Sequence, residues 1–199
     1  MRVLIACEFS GVVRDAFRER GHEAWSCDIL RGSGNNQFHI QDDVLKILDD
    51  GWDLMIAHPP CTDLAVSGAL RFKAKLEKDP QCQERALDFV RELMYNNIPR
   101  VAVENPVSII STHIRKPDQI IQPYQFGEDA SKKTCLWLKN LPLLKPTKYI
   151  EPRWVDGKPR WSNQTDSGQN RLGPSETRAA DRAVTYKGIA EAMAAQWEN

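Results

Sequence analysis

A chain of 199 residues is long enough to bury the core of one domain without a disulfide or metal staple. Lys plus Arg and Asp plus Glu both number 27, so no global field selects a nucleic acid or a membrane, although the balance leaves room for a local basic face. Five cysteines, at 7, 27, 61, 82 and 135, contain no Cys-x-x-Cys pair and leave one over, which argues against a disulfide framework and for a reducing compartment.

Val3 to Ala6 is a β-branched run that meets Phe9-Ser10-Gly11, and Val12 to Arg20 then sets Val13, Ala16 and Phe17 at helical spacing. The pattern predicts strand, tight turn and helix. Glu23 to Cys27 reads as a second strand with Asp28 at its carboxyl end, followed by a Gly/Ser/Asn loop from Arg31 to Asn36. Asp42-Asp43 opens a short helix through Leu48, its acidic first turn matching the helix dipole. Asp53 to Ala57 is the next strand. Gln81 to Tyr95 places Ala86, Leu87, Phe89, Val90, Leu93 and Met94 on one stripe of a helix, and Val101 to Val103 is the strand after it. Strands alternating with helices predict an α/β class with a doubly wound, mostly parallel Rossmann-like sheet, and ligands at the carboxyl ends of its strands.

Beyond about residue 115 the rhythm changes. Thr134 to Leu138 reads as a strand, residues 142–175 as a loop or arm with little period, and Tyr186 to Trp197 as a closing amphipathic helix with Ile189, Met193 and Trp197 on one face. The arm repeats a triplet, Pro152-Arg153-Trp154 and Pro159-Arg160-Trp161, and seven basic to four acidic residues between Lys145 and Arg178 make it locally basic. We expect one domain over 1–199. His22, His39, His58 and His113 show no ligand spacing with the cysteines, so no metal is expected. Neither a signal peptide nor a membrane span is apparent, and a cytoplasmic protein with no membrane partner is expected.

Chemistry-bearing residues gather at the predicted strand ends. Glu8-Phe9-Ser10-Gly11 has the position of a nucleotide-binding turn, where Gly lets backbone amides approach a ligand; it is equally read as a plain turn. Asp28 can accept from both ribose hydroxyls of an adenosyl ligand, with Ile29 beside it, or be a surface carboxylate. Asp42 and Asp43 read either as contacts to an adenine amino group or as a helix cap.

Cys61 follows an apolar strand and the rigid His58-Pro59-Pro60 turn, in the kind of loop that lowers a thiol's pKa. The other four cysteines read as small buried hydrophobes. Glu104 closes another strand before Asn105-Pro106. Half-desolvated there, its carboxyl is expected to stay protonated near neutrality and donate to a ring nitrogen, with a salt bridge to an arginine as the alternative; Asn105 is expected to fix a neighbouring loop. A thiol and a carboxyl on adjacent strand ends can address opposite edges of one flat heterocycle.

These residues resemble the DNA (cytosine-5) methyltransferase family. The run Asp53 to Gly68, centred on Pro60-Cys61, has the spacing of that family's catalytic segment; Glu104-Asn105 matches its Glu-Asn motif, and Phe9-x-Gly11 its cofactor loop. Asp28 and Asp43 fall where its ribose- and adenine-binding acids lie, and Gln169-Asn170-Arg171 is similar to its Gln-x-Arg, whose arginine holds the target base. Three features depart: Thr62 stands where the family has Gln, Val12-Val13 replaces later glycines of the cofactor loop, and only 28 residues follow Arg171, too few for a target-recognition domain. That short form resembles members carried by phages and prophages.

The resemblance implies S-adenosylmethionine as cofactor, held by Glu8, Phe9, Ser10, Gly11, Asp28, Ile29, Asp43, His58 and Pro60, and DNA, duplex or single-stranded, as substrate. Cys61, Glu104, Asn105 and Arg171 would be catalytic, with Cys61 adding to C6 of cytosine and Glu104 at N3. Arg153, Trp154, Arg160, Trp161 and Gln169 would grip the nucleic acid; alternatively the two tryptophans face the core and pin the arm. A separate specificity partner is possible on this reading. RNA or a nucleotide as target, and a non-catalytic binding or inhibitory module, stay open as rivals.

Overall fold

The computed structural model describes every residue except Asn35, Pro174, Glu176, Thr177 and Asn199. Of the loop expected over residues 31–36, Asn35 therefore lies outside the described residues. Seven strands build one sheet: β1 (Arg2–Ala6), β2 (Glu23–Asp28), β3 (His39–Gln41), β4 (Leu54–Ala57), β5 (Arg100–Pro106), β6 (Gln119–Ile121) and β7 (Thr134–Lys139). Their spatial order is β3-β2-β1-β4-β5-β7-β6, with β7 antiparallel to both of its neighbours and the other pairs parallel. This is an α/β, doubly wound, mostly parallel, Rossmann-like sheet, as expected.

Because side chains alternate across a pleated strand, β1 and β4 each feed two cores. Val3, Ile5, Leu54 and Ile56 pack on one face with Val13 and Phe17 of α1 (Val12–Glu19). Ile189 and Met193 of the last helix, Lys187–Gln196, and the adjoining Trp197 join that layer. Leu4, Ala6, Met55 and Ala57 face the other way, against Leu87, Val90 and Leu93 of the helix Cys82–Met94. Strands buried on both faces read as continuous apolar runs, which is why they are visible in the sequence.

Three elements differ from expectation. β5 runs on through Glu104, Asn105 and Pro106, because antiparallel β7 continues the ladder there, pairing Glu104 with Leu136 and Asn105 with Cys135. The arm is not aperiodic: β8 (Arg153–Val155) and β9 (Lys158–Arg160) form a hairpin whose two-residue turn, Asp156-Gly157, has φ of 48° and 70°. Positive φ at both turn positions suits the right-handed twist of a tight hairpin. Asp42-Asp43 opens a 3-10 turn, Val44–Ile47, rather than an α-helix. Among the described residues, no helix is long and apolar enough to cross a membrane.

Candidate functional site

Strand order reverses between β1 and β4, the point at which an open α/β sheet leaves a crevice at its carboxyl edge. A cleft of about 1480 Å³ lies there, reached by Cys61 and Glu104 from β4 and β5 and by Asp28 and Asp43 from the β2 side.

On the β1 side, Cys7 takes φ 58°, a left-handed conformation rare for a side-chain-bearing residue, and turns the chain out of the sheet. Burial, then the charge of Asp28, pushes its thiol well up, so it stays protonated. Glu8 is buried, and its carboxylate accepts from the backbone N–H of Val13 (2.7 Å) and Arg14 (3.3 Å) and from Ser10 Oγ (3.2 Å). It caps α1 and lines the cleft together with Phe9 and Ser10. Gly11 does not line the cleft. It is the N-cap at φ 77°, and a Cβ there would fall 2.3 Å from the buried Arg14 guanidinium, so glycine is required twice over.

Asp28 Oδ1 accepts from Leu30 N–H at 2.9 Å, and Asp43 Oδ1 caps the 3-10 turn by accepting from Leu45 N–H at 3.0 Å. Among the described residues the second oxygen of each carboxylate receives no hydrogen bond. Ile29, 73% exposed beside Asp28, offers a bare apolar face. An adenosyl group needs a hydroxyl acceptor, an apolar flank and an amino-group acceptor, and Asp28, Ile29 and Asp43 supply these, so the donor set fits S-adenosylmethionine.

On the β4 side, His58 N–H is bonded to Ala6 O (2.9 Å), and Pro59 and Pro60 stiffen the loop that leads to Cys61. Asn105 is buried and donates its Nδ2–H to Pro59 O at 2.9 Å, so β5 holds the loop after β4. Farther along, Ile109 N–H bonds Leu64 O and Val66 N–H bonds Val107 O, both at 3.0 Å. Between these anchors Cys61 stands exposed on the cleft wall. Of the other cysteines, Cys27 and Cys135 are buried and Cys7 and Cys82 half-buried.

Glu104 lines the same cleft and approaches His58 Nδ1 through Oε2 at 3.1 Å, the two side chains 14% and 8% exposed. Burial by itself pushes the Glu104 carboxyl up; the His58 hydrogen bond and the positive charge of Lys132 outweigh it and hold the group below the usual carboxylate range. The expectation of a carboxyl protonated near neutrality is thereby corrected: the resting group is a carboxylate, because an N–H donor and a cation face it. His58, expected beside the cofactor, lines the cleft with its Nδ1 committed to Glu104.

The arm residues fall differently. Arg153 pairs with Asp166 (2.6 Å) and donates to Gln164 O, Arg160 Nε donates to Asp166 O, and Arg171 Nε donates to Gln164 O. These three cations fold the 164–166 turn. Trp161 is buried, stacked on Tyr124 at 4.3 Å, whereas Trp154 is 68% exposed. None of these residues, nor Gln169, lines the cleft; Asn163, Gln164, Gly168 and Asn170 do. Asn163 exchanges two 2.9 Å hydrogen bonds with the Ser131 backbone and so docks the arm beside Lys132. Sequence reasoning missed Lys132 and Asn163. Lys132 is signalled only as a polar residue just before β7 and Asn163 only as a polar residue of the arm, and β7's place beside β5 is not legible in the sequence.

No protein-family model matches the chain, and no curated protein matches it. Among solved structures, a methyltransferase of Entamoeba histolytica, EhMeth, superposes with a TM-score of 0.53 at 18% identity, over 76% of this chain and 58% of its own. A prophage-encoded Escherichia coli protein described as a DNA modification methyltransferase superposes with a TM-score of 0.49 at 14% identity, over 75% of this chain and 52% of its own. The chain thus spans between half and three-fifths of the length of these structures, and the likeness to EhMeth shows the fold.

Proposed function

We propose that the chain is an S-adenosylmethionine-dependent methyltransferase that transfers a methyl group to C5 of cytosine in DNA. The observation that carries this reading is the placement of an exposed thiol, Cys61, and a desolvated carboxyl, Glu104, on the adjoining ends of β4 and β5 in one cleft with Asp28 and Asp43. Asp28, Ile29 and Asp43 would hold the adenosyl part, and the bound sulfonium supplies an electrophilic methyl group. Cys61 as thiolate would form a bond from Sγ to C6 of the base while Glu104 holds the N3 edge. C5, made nucleophilic, would take the methyl group as its bond to the sulfonium breaks and S-adenosylhomocysteine leaves; solvent in the cleft would take the C5 proton, and expulsion of the Cys61 thiolate would then restore the aromatic ring. Covalent catalysis splits a difficult substitution at an unactivated carbon into two easier steps.

The test is trapping with duplex and single-stranded oligonucleotides that carry 5-fluorocytosine, in which fluorine replaces the proton that must leave. A covalent adduct formed by the wild type and absent from Cys61→Ala is expected; no adduct with either strand form, with cofactor binding confirmed, would exclude the mechanism. A second reading, a single-stranded target, is favoured by one observation: Arg153, Arg160 and Arg171 are spent on the arm's own turn and leave fewer cations for duplex phosphates. The same experiment separates the two.

A further inference from the structure

We infer that His58 is a positioning residue for Glu104: by donating its Nδ1–H to Oε2, it keeps that oxygen an acceptor and reserves Oε1 as the oxygen that carries a proton to the ring nitrogen of the bound base. The inference rests on the cytosine reading above. A carboxyl group has two oxygens, and only the one that bears the proton can donate. An oxygen already receiving an N–H at 3.1 Å is the less basic of the pair, so a proton taken up by Glu104 goes to the other.

The ring is held for this task. Its backbone is anchored on Ala6 O, and the next carbonyl is clamped by Asn105. Its side chain is 8% exposed, and its Nε2 is buried with no hydrogen-bond partner among the described residues. The one polar engagement of this imidazole is therefore Glu104. Since a carboxylate only accepts, Nδ1 bears the hydrogen.

The proton at N3 balances without His58 giving one up. Glu104 takes a proton from solvent onto Oε1 as the base enters. As the bond from Cys61 Sγ to C6 forms, the Oε1–H bond breaks and N3–H forms, leaving a carboxylate that still receives Nδ1–H on Oε2. When the thiolate is expelled, N3 returns the proton to Oε1. Among the described residues, Lys132 from the segment before β7 and Cys135 on β7 act electrostatically with Glu104, Lys133 acts on Cys135, and Cys61 on the loop after β4 lines the same cleft.

The test follows the titration of the Glu104 carboxyl by ¹³C NMR in the wild type, His58→Leu and His58→Asn, and measures single-turnover adduct formation with 5-fluorocytosine oligonucleotides at one pH. In the wild type the carboxyl titrates below the usual carboxylate range. In His58→Leu its midpoint moves to higher pH, since the carboxyl loses the donor that holds it down. Adduct formation, divided by the protonated fraction so measured, drops roughly tenfold, the worth of one charge-assisted hydrogen bond. His58→Asn, whose Nδ2–H can replace Nδ1–H, keeps the wild-type midpoint. A His58→Leu midpoint that stays in place, or equal shifts in both variants, overturns the inference. Should His58→Leu lose its melting transition, ¹⁵N NMR of the wild-type imidazole decides: the Nδ1–H tautomer supports the inference and the Nε2–H tautomer overturns it. A wild type that forms no adduct instead overturns the cytosine reading itself.

Discussion

Asn105 donates its amide to the carbonyl of Pro59 at 2.9 Å, and this bond ties the strand that carries Glu104 to the loop that carries Cys61. Asn105→Ala leaves a buried carbonyl unpaired, at a cost of about 1–3 kcal/mol, and frees the loop. We predict a lowered melting temperature and a slower rate of adduct formation with an unchanged Kd for S-adenosylmethionine. A variant that binds cofactor poorly while reacting normally once saturated would show that Asn105 serves the other half of the cleft.

Glu104 gives a pH signature in stability. Its folded pKa lies below the usual carboxylate value of about 4.3, so the ionised group contributes stability above that value, and the contribution is lost as pH falls through the lower folded pKa. Glu104→Gln takes up no proton. Denaturant unfolding of both proteins from about pH 6 to about pH 3 should show the wild type losing stability more steeply. Parallel curves would mean the carboxyl is not held down by His58 and Lys132.

The cofactor half is tested at Asp28. Asp28→Ala should raise the Kd for S-adenosylmethionine roughly tenfold to a hundredfold, the range for hydrogen bonds to a charged acceptor, with the fold kept. Asp43→Ala also removes the cap to Leu45 N–H and should lower stability by about 1 kcal/mol. Isothermal titration and thermal melting separate the two effects; tight binding by Asp28→Ala would remove that residue from the site.

The two tryptophans of the repeated triplet should behave oppositely. Trp161→Ala deletes a buried ring stacked on Tyr124 and is expected to cost about 3–5 kcal/mol. Trp154→Ala removes an exposed ring, so the melting temperature should hold while affinity for single-stranded oligonucleotides falls by about 1–3 kcal/mol. Unchanged binding by Trp154→Ala would take it out of any nucleic-acid interface.

Features of the molecule are legible in the sequence to the extent that they are locally encoded. The strands buried on both faces, β1, β4 and β5, are continuous apolar runs; Cys61, Glu104 and Asp28 could be placed because each sits at or beside the end of a predicted strand, and Asp43 because Asp42-Asp43 opens a predicted short helix. β3 and β6 have three residues each, too few to show a period. The reversed insertion of β7 beside β5 leaves no local trace, so neither the extension of β5 through Glu104 nor the nearness of Lys132 could be foreseen. The Asp156-Gly157 pair does announce a hairpin, but its strands are short and β9 contains a proline. The arginines of the arm look free in the sequence because charge counts do not reveal that backbone carbonyls and a carboxylate thirteen or fewer residues away absorb them.

The antiparallel neighbour of β5 gives the two reacting groups unequal stiffness. Glu104 is held in the ladder opposite Leu136 of β7, one residue past Val103, the last residue of β5 that pairs with β4. Cys61 stands on the short span between the anchors at Pro59 and Leu64, flanked by exposed Pro60 and Thr62. The ladder to β7 thus makes the carboxyl the stiffer jaw of the site, and the thiol, carried on a loop, the one that adjusts to a base.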